Sequence, residues 1–328
     1  MPPSDEAASP AARLAALLAR PGLRVMPCCW DAWSARLVER AGFALTFMSG
    51  FAVSATRLGL PDTQLISYAE MLDQGRNLCG AVSIPVIGDA DTGYGNALNV
   101  RRTVEGYAAA GFACVMLEDQ VAPKRCGHTR GKEVVERDEA LARFRAAVDL
   151  RRSAGLDVLL LARTDARATR GLDEALARAK HFRDLGADLL FVEAPTSRAE
   201  LERIARELAG TPLMANLVED GDTPLLSHGE LEELGFRVAA YPLTLLEVAS
   251  KAIADALARM AAGGHPAAAS RLSFAELREL VGFPEYDALA ERYPSDGGGV
   301  APGSGSAAGS APAEPRTPLP SGPDRGLR

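Results

Sequence analysis

The feature that most restricts the fold of this chain is a short apolar segment, rich in aliphatic residues, that recurs eight times. Near-continuous apolar runs of this length are typical of parallel strands that are covered on both faces. Helical patterns separate the segments, and from Leu172 the apolar residues recur close to the helical period of 3.6. The eight segments span residues 24–30, 44–50, 84–91, 113–119, 157–165, 188–194, 212–217 and 237–242.

Glycines mark the junctions between helix and strand. Where a helix gives way to a strand, a left-handed residue is favoured, and five junctions carry Gly42, Gly111, Gly155, Gly186 and Gly235. Eight strand–helix alternations predict an α/β fold, a (β/α)8 barrel of the triosephosphate isomerase type. The alternative is a doubly wound open sheet, which needs a glycine-rich turn after an early strand. The nearest candidate, "DTGYGN" at 91–96, has two glycines and an acidic setting that would repel a pyrophosphate.

Composition divides the chain into three parts. We expect residues 11–293 to form the barrel and the helices that follow it. The segment 294–328 is rich in Gly, Pro, Ser and Ala, a composition that predicts a disordered tail. Residues 1–10 are expected to be a disordered N-terminus.

Charge and cysteine content narrow the class of partner and the compartment. The net charge of −7 argues against nucleic acid or an anionic membrane as partner, because both require a broad basic face. No apolar run approaches the roughly 18–20 residues that span a bilayer. The chain has five cysteines, an odd number, and their spacing is not that of a disulfide-linked framework. This is expected of free thiols in a reducing cytoplasm. A cytoplasmic protein that binds a small molecule is predicted.

Acidic and polar residues end most of the predicted strands, which is where a barrel carries its chemistry. Asp89 and Asp91 share one face of a strand, and Glu118 ends the neighbouring strand. Three hard oxygen donors suit Mg²⁺ or Mn²⁺ and suit Zn²⁺ badly. The alternative is that both aspartates cap the next helix or accept bonds from the following turn. Glu193 and Asn216 at two further strand ends favour the metal.

A basic segment at 119–135 follows the fourth strand directly. Its four cations surround a Cys-Gly-His sequence and are Lys124, Arg125, Arg130 and Lys132. We expect them to bind the carboxylates of an anionic ligand and to lower the pKa of the Cys126 thiol. Gly127 and Gly131 are predicted hinges of a lid. The alternatives are a solvated charge run or a structural zinc site, and zinc would need two further ligands at a matching spacing.

Arg163 ends the fifth predicted strand, where an isolated buried guanidinium would be costly. Two roles are open for it. It can form an ion pair with Glu193 or Glu118, or it can hold a substrate carboxylate through two parallel hydrogen bonds.

The ordered motifs of the chain resemble those of the isocitrate lyase/phosphoenolpyruvate mutase superfamily. The resemblance covers residues from roughly 25 to 290, and "KRCGH" and "DAD" are its most specific parts. The matching motifs are "SGFAVSA" (49–55), "LGLPD" (58–62), "DADTGYGN" (89–96), "LEDQ" (117–120), "KRCGH" (124–128), "ARTDAR" (162–167), "FVEA" (191–194), "ANLVEDGDTP" (215–224) and "YPL" (241–243).

The resemblance implies a barrel whose last helices are exchanged between subunits of a homotetramer, a dimer of dimers. It implies Mg²⁺, or Mn²⁺, at Asp89, with Asp91 and Glu118 reaching the ion directly or through water. It implies catalytic roles for Cys126, Glu118 and Arg163. The substrate-binding positions that it implies are Ser49, Gly50, Phe51, Lys124, Gly127, His128, Arg163, Glu193 and Asn216.

Cys126 matches the thiol with which lyases of the superfamily protonate the fragment left by carbon–carbon cleavage. Phosphoenolpyruvate mutases proper have asparagine there, and decarboxylating relatives lack the "KRCGH" motif. The chain is therefore predicted to be a Mg²⁺-dependent lyase that cleaves a 2-hydroxy di- or tricarboxylate, such as 2-methylisocitrate or a 2-alkylmalate. The alternatives are a carboxyphosphonoenolpyruvate phosphonomutase, an oxaloacetate-cleaving hydrolase and a carboxylate-binding barrel without activity.

The chain departs from the lyase pattern at two positions. Phe47 stands where isocitrate and methylisocitrate lyases carry a tyrosine. If that tyrosine is the base for the substrate hydroxyl, another group is needed here, and Tyr94, a metal-bound water and Glu118 are the candidates. Phe51 replaces a glycine of methylisocitrate lyase, which predicts a bulkier wall of the pocket and argues against strict methylisocitrate specificity.

Overall fold

The computed structural model describes residues 8–126 and 131–293. In this part of the chain, eight parallel strands alternate with helices, and each strand lies inside one of the predicted segments. The strands, β1 to β8 in chain order, are Arg24–Cys29, Thr46–Met48, Val86–Asp89, Cys114–Glu118, Leu159–Thr164, Leu189–Val192, Met214–Asn216 and Val238–Tyr241.

The strands close into a nearly complete barrel. Ladder hydrogen bonds join them in the order β6-β5-β4-β3-β2-β1-β8-β7. Between β6 and β7, a parallel bridge pairs Leu190 with Leu213, and the Leu190 amide donates to the Pro212 carbonyl at 3.0 Å. The predicted (β/α)8 fold is confirmed, and the open doubly wound sheet is excluded.

Helices follow the strands, and a π-helical turn at Ser54–Leu58 continues the short third helix. The helix Leu172–Leu185 covers the residues for which the apolar period predicts one. The α-helices of the described residues, α1 to α13 in chain order, are Pro10–Ala19, Ala32–Arg40, Gly50–Val53, Tyr68–Cys79, Ala97–Ala110, Arg137–Ser153, Ala166–Arg170, Leu172–Leu185, Arg198–Glu207, His228–Leu234, Thr244–Ala261, Phe274–Val281 and Phe283–Arg292.

The five glycines at the helix–strand junctions adopt the left-handed backbone that the sequence predicts. Their φ angles lie between 61° at Gly155 and 119° at Gly186.

The cap of α5 tests the alternative role predicted for Asp89 and Asp91. The cap residue is Asn96, whose side chain accepts from the Leu98 amide at 2.9 Å. Neither Asp89 nor Asp91 caps this helix, so the capping explanation of the two aspartates is wrong.

Apolar side chains pack in two separate layers. One cluster lies between the strands and the outer helices and includes Val115 and Leu160. The other fills the barrel interior with alternate strand residues such as Ile87 and Leu161, as expected when successive side chains point to opposite faces. Leu14 and Leu18 of α1 belong to this interior cluster, so α1 closes the N-terminal end of the barrel.

The described residues up to His265 form one compact unit, and those from Pro266 form a second. The described part of the second unit contains α12 and α13, and the α12 cap Ser273 forms a capping box with Glu276. In the described parts of both units, no helix has the length and apolarity required to cross a bilayer. The predicted tail at 294–328 and residues 1–7 of the predicted N-terminal tail lie outside the described residues.

Candidate active site

The polar residues predicted at the strand ends form the layer directly above the interior core. Side chains two residues apart on a strand share a face. Ser49 follows Phe47 in this way, and Asp89 follows Ile87. Six polar residues occupy this layer, each of them two positions after the last inward-facing apolar residue of its strand. They are Ser49, Asp89, Glu118, Arg163, Glu193 and Asn216.

A cavity of about 70 Å³ opens at this end of the barrel. Gly50, Asp91 and Glu118 do not line it but lie behind its wall, while Gly127 and His128 lie outside the described residues. The predicted site residues that line the cavity are Ser49, Phe51, Asp89, Lys124, Cys126, Arg163, Glu193 and Asn216.

Asp89 is held by backbone amides. Its Oδ2 accepts from the Gly50 amide at 3.1 Å, and its Oδ1 accepts from the Asp91 amide at 3.1 Å. A Cβ at position 50 would lie 2.6 Å from Asp89 Oδ2, so only glycine allows this approach. Behind the strand, the Tyr107 hydroxyl donates to the Asp89 carbonyl at 2.8 Å. The carboxylate therefore has a fixed orientation at the cavity.

Lys124 enters the site as a buried ammonium group between two carboxylates. Its Nζ lies 2.7 Å from Asp62 and 2.9 Å from Asp91 Oδ1. Burial raises the pKa of Asp91 to about 7, although Lys124 counteracts the rise, and the charges of Asp89 and Asp62 add to it. Protein carboxylates therefore hold the Lys124 ammonium at the cavity, and its contact with a ligand carboxylate stays a prediction.

Asp62 and Gln64 are site residues that the sequence reasoning missed. Asp62 lines the cavity, and Gln64 Oε1 accepts from the Lys124 amide at 2.9 Å. Gln64 does so with a left-handed backbone of φ 59°. A signal for Asp62 existed, because it ends the "LGLPD" motif, but no strand end marks it.

Arg163 has four hydrogen-bonding or ionic contacts in the site. Its Nε donates to Asp165 Oδ2 at 2.9 Å and its Nη2 to Asp165 Oδ1 at 3.1 Å. Its Nη1 lies 3.3 Å from Glu118 Oε2, and its Nη2 lies 3.2 Å from Glu193 Oε2. Both ion pairs predicted for this arginine are therefore present. Burial alone would lower the pKa of Arg163, but the surrounding carboxylates raise it well above its ordinary value.

The donor chemistry of the site fits a hard divalent cation. Asp89, Asp91 and Glu118 supply oxygen only, and Asp91 Oδ2 and Glu118 Oε1 are buried without a hydrogen-bond donor. Burial raises the pKa of Glu118 well above its ordinary value, against the effects of Arg163 and Lys124. Within residues 8–126 and 131–293, no three Asp, Glu, His or Cys side chains converge as a ready metal-binding group. Mg²⁺ commonly binds one or two carboxylates directly and keeps several water ligands, so it does not require three converging side chains.

Cys126 differs from the other thiols of the chain. It lines the cavity and is partly exposed. Cys28 also lines the cavity, but burial raises its pKa well above the ordinary value, and burial raises the pKa of Cys29 and of Cys79 to about 12. Cys114 is fully buried, with a pKa raised in the same way. Cys126 is thus the accessible thiol of the site.

Tyr94, one of the three candidate bases, does not line the cavity. Its hydroxyl lies 3.5 Å from the Tyr107 hydroxyl, and burial raises its pKa well above the ordinary value. Phe47 is buried and lines the cavity with an unreactive ring. Neither side chain is suited to remove a substrate proton at neutral pH.

The part of the cavity wall formed by the residues that follow β2, β7 and β8 is largely apolar. Phe51 at the start of α3 belongs to it, as the sequence predicts. The other apolar side chains of this wall follow β7 and β8 and are Val218, Pro242 and Leu243. A ligand in the cavity therefore meets charged groups on one side and hydrocarbon on the other.

The comparisons with known proteins agree with this geometry. A family model described as phosphoenolpyruvate phosphomutase matches residues 14–261. A 2,3-dimethylmalate lyase from Eubacterium barkeri is 40% identical over 285 residues, which cover 86% of this chain and 98% of the relative. The chain belongs to the isocitrate lyase/phosphoenolpyruvate mutase superfamily. It is an enzyme of that superfamily.

Two further superfamily members differ in their named activity. A probable 2-methylisocitrate lyase from Corynebacterium glutamicum is 40% identical over 278 residues, covering 84% of this chain and 89% of the relative. A chloroplastic carboxyvinyl-carboxyphosphonate phosphorylmutase from Arabidopsis thaliana is 41% identical over 283 residues, covering 84% and 83%. Identity of this level does not separate the branches of the superfamily.

Solved structures of the superfamily superpose over nearly their whole length. A 2,3-dimethylmalate lyase has a TM-score of 0.83 at 36% identity, covering 89% of this chain and 98% of that one. A phosphonopyruvate hydrolase in complex with oxalate and Mg²⁺ has a TM-score of 0.77 at 30% identity, covering 87% and 99%.

Proposed function

We propose that this enzyme is a Mg²⁺-dependent carbon–carbon lyase that cleaves a 2-hydroxy dicarboxylate of the 2-alkylmalate type. The observation that carries the proposal is one cavity that unites Asp89, Arg163 and the accessible thiol of Cys126. The similarity to 2,3-dimethylmalate lyase supports the same reaction class. Cleavage of 2,3-dimethylmalate between C2 and C3 would give pyruvate and propionate, which together contain every atom of the substrate.

Asp89 would hold the cation directly, and Asp91 and Glu118 would hold it through water. When bound, Mg²⁺ would stabilise the negative charge that develops on the oxygen atoms of the nascent 2-oxo acid. Asp89 is already oriented for this role by two backbone amides. The Mg²⁺ in the related phosphonopyruvate hydrolase supports the choice of metal.

Three neighbouring groups would orient the substrate. Arg163 would contact a substrate carboxylate from the end of β5, and Asn216 would donate to it from the end of β7. The Gly50 amide is engaged with Asp89, so Ser49 is the polar group of this turn that remains at the cavity wall.

The reaction would need one proton removed and one returned. A base takes the hydroxyl proton at C2, the C2–C3 bond electrons move to the departing fragment, and the Cys126 thiol protonates that carbon. Phe47 cannot act as base, and Tyr94 does not line the cavity. Glu118 is the remaining protein group considered as base, and it lies behind the cavity wall, 3.3 Å from Arg163.

The walls of the cavity support an alkyl-substituted dicarboxylate over a tricarboxylate. Among the described residues that line it, the cations are Lys124 and Arg163, and carboxylates of the protein already surround both. Phe51 and Leu243 would contact an alkyl group, which gains from leaving water. A third substrate carboxylate against this wall would lose its hydration without a partner.

A substrate panel tests the proposal. The purified enzyme with Mg²⁺ is incubated separately with 2-alkylmalates, including 2,3-dimethylmalate, with 2-methylisocitrate and with oxaloacetate, and 2-oxo acids and oxalate are measured. We expect the highest kcat/KM with a 2-alkylmalate. A preference for 2-methylisocitrate would reject the dicarboxylate assignment, and release of oxalate from oxaloacetate as the best reaction would identify a hydrolase.

The phosphonomutase is the second candidate, supported by the similarity to the phosphorylmutase from Arabidopsis thaliana. It predicts conversion of carboxyphosphonoenolpyruvate to a product with a carbon–phosphorus bond, which phosphorus NMR detects. If neither assay yields product while oxalate and Mg²⁺ still bind, the chain is a carboxylate-binding barrel without turnover.

The last helices support the proposal of a homotetramer, a dimer of dimers with exchanged C-terminal helices. None of the described residues of α11, α12 or α13 is buried within the chain. Exposed large apolar side chains along these helices are typical of surfaces that another subunit covers. Examples are Ile253, Leu257, Phe274 and Tyr286. Light scattering coupled to size exclusion would measure the mass of the assembly, and a monomer would reject the exchange.

We also propose a cytoplasmic location. The thiols of Cys28, Cys29, Cys79 and Cys114 are free, as expected in a reducing compartment. Fractionation of cells that express the native gene would test this, with a secreted enzyme as the contrary result.

A further inference from the structure

Two cations from separate parts of the chain share one buried carboxylate beside the cavity. Asp165 Oδ1 accepts from Lys132 Nζ at 2.9 Å and from Arg163 Nη2 at 3.1 Å, and its Oδ2 accepts from Arg163 Nε at 2.9 Å. The side chains of Asp165 and Lys132 are 0% and 4% exposed. A hydrogen-bonded ion pair of this kind is stronger than a neutral one and fixes the plane of the guanidinium.

Arg163 faces more negative charge than it can balance alone. Besides Asp165, Glu118 lies 3.3 Å and Glu193 3.2 Å from its Nη atoms. Three carboxylates around one guanidinium leave little positive potential for a fourth carboxylate from a ligand. Lys132 supplies a second cation to Asp165, so Arg163 retains attraction for an incoming anion. Burial alone would raise the pKa of Asp165, but Arg163 and Lys132 lower it to about 2, and the carboxylate is charged at neutral pH.

Hydrogen bonds to Asp119 fix the backbone of Asp165 and so keep its carboxylate beside Arg163 and Lys132. Its amide donates to Asp119 Oδ1 at 2.9 Å, and the Thr164 hydroxyl donates to Asp119 Oδ2 at 2.7 Å. Arg178, fully buried behind the sheet, donates to the same Oδ2 at 3.1 Å. The backbone of Asp165 is therefore pinned from outside the barrel.

Backbone pairing between the two ends of the basic segment also holds Lys132 in place. Gln120 pairs with Val134 in an antiparallel bridge, and the Val121 amide donates to the Glu133 carbonyl at 2.9 Å. This pairing fixes the backbone next to Lys132. Lys132 thus reaches Asp165 from a defined backbone position.

We propose that Lys132 and Asp165 are positioning residues, which set the orientation and the free positive charge of Arg163 for binding a substrate carboxylate. This role rests on the proposed function of Arg163 as the carboxylate-binding group. It differs from the sequence-based expectation that Lys132 contacts the ligand directly.

Binding of oxalate in the presence of Mg²⁺, measured by calorimetry on the full chain, tests the proposal without requiring turnover. The variants are Lys132→Met, Lys132→Arg and Asp165→Asn. Lys180→Met is the matched control, because Lys180 of α8 forms a partly exposed pair with Glu207 of α9. We expect the Kd of oxalate to rise about tenfold or more in Lys132→Met, the loss expected for a hydrogen bond to a charged group. Lys132→Arg should restore most of the affinity, and Lys180→Met should bind as the wild type does.

A double variant separates positioning from direct contact and from loss of folding. If Lys132 acts only through Asp165, the Lys132→Met/Asp165→Asn variant binds oxalate no more weakly than Asp165→Asn alone. Additive losses, or a Lys132→Met variant that binds oxalate like Lys180→Met, would overturn the proposal. Thermal unfolding of each variant confirms that the folded protein is measured.

Steady-state kinetics distinguish this inference from the proposed function. With the best substrate of the panel, Lys132→Met should raise KM by about the same factor as the oxalate Kd, because ground-state binding is lost. A wild-type enzyme that binds oxalate but cleaves no hydroxy acid would reject the lyase activity, and the binding data on the variants would still decide the role of Lys132.

Discussion

The amide of Gly50 donates to Oδ2 of Asp89 at 3.1 Å and so joins the end of β2 to the end of β3. This bond orients the carboxylate that we propose as the direct metal ligand. Outer contacts of this kind commonly contribute tenfold or more to metal affinity.

Gly50→Ala should weaken metal binding by about 10- to 100-fold, since a Cβ would come within 2.6 Å of Asp89 Oδ2. Titration with Mn²⁺ followed by electron paramagnetic resonance measures the affinity directly. The matched control is Gly229→Ala on α10, where a Cβ meets no atom within 4 Å. Equal Mn²⁺ affinity in both variants would contradict the role of the Gly50 contact.

Cys126→Ser should lower kcat by about 10²- to 10⁴-fold, the usual contribution of a proton donor, because a serine hydroxyl is a far weaker acid. The oxalate Kd should stay within a few-fold of the wild type, since the thiol is not proposed to hold the ligand. Cys79→Ser, at a thiol distant from the cavity lining, is the control. A Cys126→Ser enzyme with full kcat would remove the thiol from the mechanism.

A thiol reagent should modify one cysteine rapidly in the native enzyme at pH 7.5, and peptide mass spectrometry should identify it as Cys126. Burial covers Cys28, Cys29 and Cys114, and it raises the pKa of Cys79 to about 12. Because the thiolate is the reactive form, those four should react only on unfolding. Oxalate with Mg²⁺ should slow the fast reaction. Fast labelling that persists in Cys126→Ser would show that another thiol is accessible.

Arg178→Met should destabilise the fold by about 3–5 kcal/mol, because it leaves the buried carboxylate of Asp119 without its cation. Denaturant unfolding measures this loss. Arg183→Met is the control, since the Arg183 side chain lies on the same helix and is 37% exposed. Similar stability of the two variants would mean that the Asp119 contact contributes little.

Stability should fall as the pH drops from about 4 to 2, in part through Asp165. Its pKa is lowered from 3.8 to about 2 in the folded chain. A lowered folded-state pKa stabilises the protein above the unfolded pKa, and this contribution disappears as the pH falls through the folded value. The loss should be on the order of 2 kcal/mol. Unfolding curves of Asp165→Asn between pH 6 and 2 should therefore have a shallower pH dependence than those of the wild type, and equal slopes would contradict the assignment.

The barrel and the strand-end residues could be predicted from the sequence because both depend on local periodicity. Alternation within a strand puts Asp89 above Ile87 and Arg163 above Leu161, whatever the rest of the chain does. The junction glycines follow from the backbone angles that a helix end requires. These features need only neighbouring residues.

The contacts among charged groups could not be predicted in the same way. Lys124 meets Asp62 across 62 positions, and Arg178 meets Asp119 across 59. No periodicity relates such residues, since each contact depends on how separate strands and loops pack. For the same reason, the sequence predicts that Lys132 contributes positive charge to the site, but it does not predict that Lys132 pairs with Asp165.

The isolated bridge between Leu190 and Leu213 is the junction at which β6 and β7 close the barrel. Ser49, Asp89, Glu118 and Arg163 follow four successive strands in the middle of the ladder, whereas Asn216 belongs to its terminal strand β7 and faces Glu193 across the β6–β7 junction, with its Nδ2 3.5 Å from Glu193 Oε1. Substitutions on β7 can therefore widen or narrow the pocket without disturbing the ion-binding strands. A barrel closed in this way can exchange one substrate for a bulkier one while its bond-breaking chemistry is inherited unchanged.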